Sequence, residues 1–480
     1  MTATISAGTA RGRWVLAAAV LGSGVAFLDG TVVNVALPAI AEDLHTGLSS
    51  LQWTLTAYLL TLGALLVVGG SLGDVFGRRR VFVLGLAGFS IASAGCALAQ
   101  TSTQLIVARA VQGVAAAALV PGSLALISAS FRVEDRGRAI GAWSGLAGIS
   151  TAIGPFLGGW LIDSVSWRFV FVINVPLAAG AIAIALRHVP ESRDEDSDHH
   201  IDVPGGVALS LGLAGLVYAL IQGPAGTSGG IVLAAVVIGV GGFVAFALVE
   251  TRSPHPMVPL GVFRSRQFSG ANLVTVAVYG ALGVATFLVV VHLQTNLGYS
   301  ALEAGAALLP MTIVMLLLSA RMGALAQQIG PRLPMTIGPV LVGAGMLLLS
   351  PVDAGTHYVT GVLPGVLVLS LGLAVTVSPL TAAVLAAIDD HHAGIGSAIN
   401  NAAARIASLL AIAVVPAAVG LSDDFLAGYR RALVLSSVLA AVGGVVGYLT
   451  IRTAAPVTPA TNTPVGPSCH EPCVKIEQAA

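Results

Sequence analysis

The chain is a long succession of apolar runs, each about as long as a lipid bilayer is thick. A helix needs roughly 20 apolar residues to cross the hydrocarbon core. Such runs fall near 14–38, 51–72, 81–99, 104–128, 137–162, 168–187, 204–222, 230–250, 269–293, 304–326, 334–350, 359–386, 394–420 and 432–451. Composition agrees with a chain that lives in lipid: 56% of its 480 residues are hydrophobic and only 9% charged, where a soluble domain carries about 25% charged residues. The 58 glycines suit helices packed closely against one another. A formal net charge of zero argues against nucleic acid as a partner. The first run follows Arg11 and Arg13 but is too long for a secretory signal, contains Asp29 and precedes many similar runs. It is read as the first span.

Sidedness follows from the basic residues, which concentrate in cytoplasmic loops. With the N-terminus inside, 17 of the 22 lysines and arginines lie in cytoplasmic segments, and only Arg168, Arg430 and Arg431 in outer loops. Arg109 and Arg405 are left inside spans. Both termini are therefore expected in the cytoplasm, in a multi-pass protein of the cell membrane.

An internal repeat organises the spans. The segment after span two, Gly70 to Arg80, reads GSLGDVFGRRR, and the one after span ten, Gly323 to Leu333, reads GALAQQIGPRL. Gly70, Leu72, Gly77 and Arg79 match Gly323, Leu325, Gly330 and Arg332 at a constant offset of 253. Repeated halves are common in transporters. The expected architecture is all-α, with 14 transmembrane helices as two six-helix halves and an inserted pair. Its boundaries are an N-terminal segment 1–13, a first half 14–187, an acidic loop 188–203, the pair 204–250, a second loop 251–268, a second half 269–451 and a tail 452–480. His199 and His200 in the acidic loop, and Cys469, His470 and Cys473 in the tail, are read as solvated groups rather than a metal site, and no disulfide framework is expected.

Asp29 is the only charge in the stretch between Arg13 and Glu42, near its middle. A charge at that depth costs about 2.5–3.5 kcal/mol on insertion scales, so such residues mark ion or substrate pathways. Withdrawal from water penalises the charged form of a carboxyl group, the physical basis for a residue that takes up and releases a proton. Arg109 is its natural partner, on one face of span four with Gln112 and Gly113. In the segment after span two, Gly70, Gly73 and Gly77 are expected to form a tight reversal. Asp74 there can pair with a basic group, and Arg78 to Arg80 hold the cytoplasmic face, a latch for one conformation. Span five carries Gly148, Gly154, Pro155, Gly158 and Gly159, small residues for close contact around a proline that bends the helix.

Together these segments resemble the major facilitator superfamily, specifically its fourteen-helix drug:proton antiporter family. LDGTVVNVALP (Leu28 to Pro38) resembles the family's first-helix motif, Gly70 to Arg80 its loop signature and RAVQGVAAA (Arg109 to Ala117) its fourth-helix proton-relay motif. GISTAIGPFLGG (Gly148 to Gly159) resembles its fifth-helix antiporter motif; WRFVFVINVP (Trp167 to Pro176) and GYSALEAG (Gly298 to Gly305) also fit. The resemblance implies proton influx driving export of lipophilic compounds, with Asp29 and Arg109 in the proton path and no cofactor beyond protons. Asn34, Gln112, Asn400 and Arg405 are candidates for the substrate cavity, although backbone anchoring is the plainer role for Arg405. One departure narrows the substrate. Members handling dications tend to carry further acidic residues in the later spans, where only Glu303, near the outer mouth, stands out here. Neutral or monovalent lipophilic compounds, such as an antibiotic, are expected instead, moved by a monomer. A facilitator for one specific metabolite is the alternative. An enzyme is not expected, because the polar groups at membrane depth are scattered and include no nucleophile beside a base.

Overall fold

A computed structural model of the chain describes residues 5, 6, 8–193, 202–254, 256, 258–388, 393–421 and 424–452. His199, His200 and the cysteines of the tail lie outside these residues. The first half comprises α1 (Ala10–Asp43), α2 (Leu48–Phe76), α3 (Arg78–Ala97), α4 (Ser102–Ser130), α5 (Val133–Ser164) and a broken helix formed by α6 (Phe169–Val172) and α7 (Asn174–His188). The pair α8 (Val203–Gln222) and α9 (Gly229–Arg252) follows. The second half runs through α10 (Arg266–Thr295), another broken helix of α11 (Ala301–Ala307) and α12 (Leu309–Ile329), then α13 (Arg332–Leu349), α14 (Leu363–Leu385), α15 (Ala393–Ala418) and α16 (Phe425–Thr450). Lipid offers no partner for backbone polar groups, and a helix satisfies them within its own segment.

Thirteen helices among the described residues are long and apolar enough to cross a membrane, α6 with α7 and α11 with α12 each counting as one. The multi-pass membrane architecture is therefore clear, and the helix missing from the thirteen is α5, 32 residues long.

The expected repeat has a backbone counterpart. Gly77 and Gly330 both adopt positive φ, +106° and +84°, and each ends one helix immediately before the next. A side chain is strained in that conformation and glycine is not. The structure corrects the expected reversal, however: Gly70 and Gly73 lie inside α2, and Gly77 alone turns the chain. One positive-φ residue suffices, and the glycines before it serve packing instead. At Gly69, a Cβ would overlap the backbone of Ala117 in α4.

The inserted pair is placed by its apolar faces. Leu209, Leu213, Val217 and Ile221 of α8 pack with Leu60 and Ala64 of α2 and with Leu409 and Ala413 of α15. α8 thus covers one seam between the halves. α9 sits outside it, backbone against backbone at Gly212, Gly215, Gly239 and Gly242, with only 17% of its apolar window buried. The opposite seam is formed by α5 against α11 and α12.

Candidate functional site

Five helices of the first half converge on one carboxylate. Asp29, halfway along α1, is fully buried. Arg109 of α4, 1% exposed, places Nη1 2.5 Å from Asp29 Oδ2 and donates from the same nitrogen to Gln112 Oε1 at 2.6 Å. Arg109 Nε donates to the Thr54 carbonyl at 3.1 Å, and its guanidinium lies 4.3 Å from the Tyr58 ring centroid. The second carboxylate oxygen, Oδ1, accepts from Gln112 Nε2 and from Asn174 Nδ2, both at 2.9 Å. Those two amides meet again on Ser93 Oγ, at 2.7 and 3.2 Å.

Local structure explains the convergence. Arg109 and Gln112 stand three residues apart on one helical face, as do Thr54 and Tyr58 at a spacing of four on α2. Asn174 opens the second part of the sixth span, after Ile173, and its amide reaches Asp29 from there. Asn174 Oδ1 is buried without a hydrogen-bond partner. Such a group is costly to desolvate and stands as a spare acceptor beside the carboxylate. The arrangement is a charged pair sealed from water, in which a guanidinium and two side-chain amides donate to the carboxylate. Removing one partner of such a pair costs about 3–5 kcal/mol.

The halves meet at one end of the molecule. Asp163, near the end of α5, accepts from the backbone N–H groups of Ala301 and Leu302 at 3.2 and 2.8 Å, capping the first turn of α11 in the other half. Beside it a Cβ at Gly159 would overlap the backbone of Ala301 and Leu302, and one at Gly305 the carbonyl of Pro155. Gln294 Nε2 donates to the Val35 carbonyl at 3.0 Å and Gln52 Nε2 to that of Ile412 at 2.8 Å. Ion pairs Arg168–Asp43 and Arg430–Asp353 mark the same end. Toward the opposite end of α5 a Cβ at Gly137 or Gly141 would meet nothing within 4 Å.

Two bundles of helices, the first holding a buried charge pair, with a repeated glycine turn, are set against known proteins by comparison. Residues 19–412 match the family model described as Major Facilitator Superfamily. The chain belongs to the Major Facilitator Superfamily. Among curated members it is 35% identical over 410 residues to the tetracenomycin C resistance and export protein of Streptomyces glaucescens, covering 84% of this chain and 76% of that protein. It is 37% identical over 393 residues to the puromycin resistance protein of Streptomyces alboniger, covering 81% and 78%. Among solved structures, that of the POT family transporter PepTSo superposes with a TM-score of 0.69 at 13% identity, over 91% of this chain and 97% of that one. At that identity it bears on the superfamily fold alone.

In this superfamily member the other expected residues fall in several places. Asp74 pairs with Arg78 at 2.8 Å, one turn along the chain. Arg79 and Arg80 both approach Glu191, at 3.7 Å, and the backbone N–H of Arg79 donates to Glu191 Oε1 at 3.0 Å. All the described contacts of this cluster stay within the first half and the loop that follows it. Gly154 and Gly158 admit Thr31 and Val32 of α1. The expected cavity residues differ in their surroundings. Gln112 is fully buried in the Asp29 network. Asn34 is half-buried and donates to the Gly30 carbonyl of its own helix. Asn400 donates to Asn272 Oδ1 and Thr275 Oγ1 at 3.2 and 2.7 Å. Among the described residues no backbone carbonyl accepts from Arg405; its guanidinium stands 5.8 Å from the Phe27 ring centroid. Sequence reasoning missed Ser93, Tyr58, Asn174 and Glu191. The NVP of Asn174 to Pro176, inside a motif already singled out, was the available signal.

Proposed function

We propose that the chain is a proton-coupled antiporter that exports lipophilic drugs or antibiotics across the cytoplasmic membrane, not an enzyme. The observation that carries the reading is the sealed Asp29–Arg109 pair. The names of its relatives, resistance and export proteins, support the cargo. α5 is the fourteenth crossing: residues 145–162 contain no charged side chain. The end that carries Arg79, Arg80 and Arg132 faces the cytoplasm, as the distribution of basic residues requires. The conformation described is then closed outside by Asp163, Gln294 and Gln52, and parted toward the cytoplasm, ready to receive cargo.

The coupling follows from the cost of separating charges. Pulling Arg109 away from an ionised Asp29 leaves two uncompensated charges in a dry interior, at about 3–5 kcal/mol. A proton on Asp29 removes one of them, so protonation and helix movement proceed together. The protonated carboxyl has an acceptor waiting, because Asn174 carries a spare buried oxygen and its amide has only to turn over. One elementary charge moving through 100 mV releases about 2.3 kcal/mol, enough per proton for roughly a fiftyfold cargo gradient. Arg109 itself stays charged throughout.

A drug-susceptibility panel on cells expressing the chain tests this directly. Resistance to several lipophilic compounds, abolished by a protonophore that leaves ATP levels intact, is the expected outcome. Resistance unaffected by the protonophore contradicts the coupling, and no change in susceptibility to any compound contradicts export.

A further inference from the structure

The second arginine at membrane depth has no counter-ion among the described residues. Arg405 lies midway along α15 and is half-buried. Among the described residues no carboxylate pairs with it and no hydrogen-bond acceptor meets it. Arg109, by contrast, has a carboxylate, an amide and a carbonyl around its guanidinium. Charges inside a membrane protein are paired or line a pathway, and a guanidinium cannot shed its proton to escape the cost.

What surrounds Arg405 is aromatic and open. Its Cζ faces the Phe27 ring across the boundary between the halves, 5.8 Å from the centroid. Tyr58 and Tyr279 both lie within its electrostatic reach. Its own backbone is held against α2, where a Cβ at Gly63 would meet Arg405 Cβ at 3.4 Å. Less than a turn along α1 from Phe27, a Cβ at Gly30 would meet nothing within 4 Å. Space therefore lies open on the α1 face that Arg405 addresses. Asp29 cannot serve as the missing anion here, since both its oxygens are committed to Arg109, Gln112 and Asn174.

We propose that the cargo supplies the anion: Arg405 selects lipophilic monoanions, aromatic compounds bearing one carboxylate or ionised phenol. The rings of Phe27 and Tyr279 take the hydrocarbon body, and the guanidinium takes the acidic group in a charge-assisted, bidentate contact. Tyr58, whose ring lies 4.3 Å from the Arg109 guanidinium, belongs to the proton site. Exchange of one proton for one monoanion moves two positive charges inward per cycle, so the membrane potential drives both arms. This deepens the export reading and depends on it for transport, but not for binding.

A pair of pyrene probes of opposite charge, pyrenebutyrate and pyrenemethylammonium, tests it. Binding is measured to the full-length protein in phosphatidylcholine nanodiscs, with empty discs subtracted. The wild type is expected to bind the anion at least about tenfold more tightly than the cation. Arg405→Gln should remove that preference, weakening the anion by about tenfold or more while leaving the cation unchanged or improved. Arg405→Lys, which keeps the charge but not the fork, should still prefer the anion to the cation, with weaker anion binding than the wild type and the wild-type melting point. Equal binding of both probes by the wild type, no measurable anion binding, or equal weakening of both by Arg405→Gln overturns the proposal. The same probes in everted vesicles keep the two readings apart. Protonophore-sensitive transport of the cation alone removes the anion site and leaves export standing. Anion-selective binding without transport of either probe supports the site and removes export.

Discussion

The chemistry rests on a handful of side chains whose donors and acceptors nearly all find partners. Arg109 does more than balance a charge: its fork reaches Asp29 and Gln112 from one nitrogen and the Thr54 carbonyl from another, with the Tyr58 ring beneath. A lysine offers a single point charge and cannot reproduce that fork. Arg109→Lys should therefore cut protonophore-sensitive efflux by at least about tenfold while protein levels in the membrane stay near wild type. Efflux at the wild-type rate would show that only the charge matters. Asn174 has one hydrogen bond to Asp29 and one to Ser93, and Asn174→Ala leaves those partners short inside a dry site. A loss of about 1–3 kcal/mol, read as a lowered unfolding midpoint, is expected; an unchanged midpoint contradicts the network. The sequence made the pair itself legible, because a charge in an apolar run is conspicuous. Ser93 and Asn174 were not, because neutral polar residues inside spans are common and only the folded arrangement brings them to Asp29. Glu191 was hidden for a different reason: it opens an acidic run that reads as solvated, and only the folded chain brings it to Arg79.

At the scale of elements, glycine and helix breaks carry the fold. Gly113 of α4 sits where a Cβ would overlap Thr61 Oγ1 and the Tyr58 carbonyl of α2, whereas Gly180 of α7 has open space. Gly113→Ala should cost about 1–3 kcal/mol through overpacking. Gly180→Ala should be neutral or stabilising by up to about 1 kcal/mol through helix propensity. Thermal unfolding in detergent compares the two, and equal midpoints would contradict the packing account. The Asp163 contact makes a parallel case for movement, since it caps a helix that belongs to the other half. Losing such a cap costs about 0.5–2 kcal/mol. Asp163→Ala should loosen the outer seam, so that a cysteine replacing the buried Val35 reacts several-fold faster with a thiol reagent. An unchanged rate means that the seam is held elsewhere. The apolar runs marked where helices lie, but not the interruptions at Ile173 and Leu308. Nothing in local hydropathy distinguishes a continuous span from one that restarts.

For the whole molecule, two six-helix halves meet at one end, the first of them holds the buried charge pair, and an inserted pair covers one seam. The repeat was visible as four matched residues and reappears as two glycines of positive φ. What no single sequence reveals is which seam the pair covers, since that depends on the apolar faces of α2 and α15 remaining uncovered together. Coupling belongs to this scale too, because a proton at Asp29 has to be felt by the seams. The most direct test is uptake, into proteoliposomes under an imposed pH gradient, of a lipophilic compound to which the chain confers resistance, with wild type and Asp29→Asn reconstituted to equal density and checked for intact folding. The account predicts gradient-driven uptake by the wild type and loss of at least about a hundredfold in Asp29→Asn, with substrate binding retained. Full uptake by Asp29→Asn with an intact dependence on the gradient would contradict it.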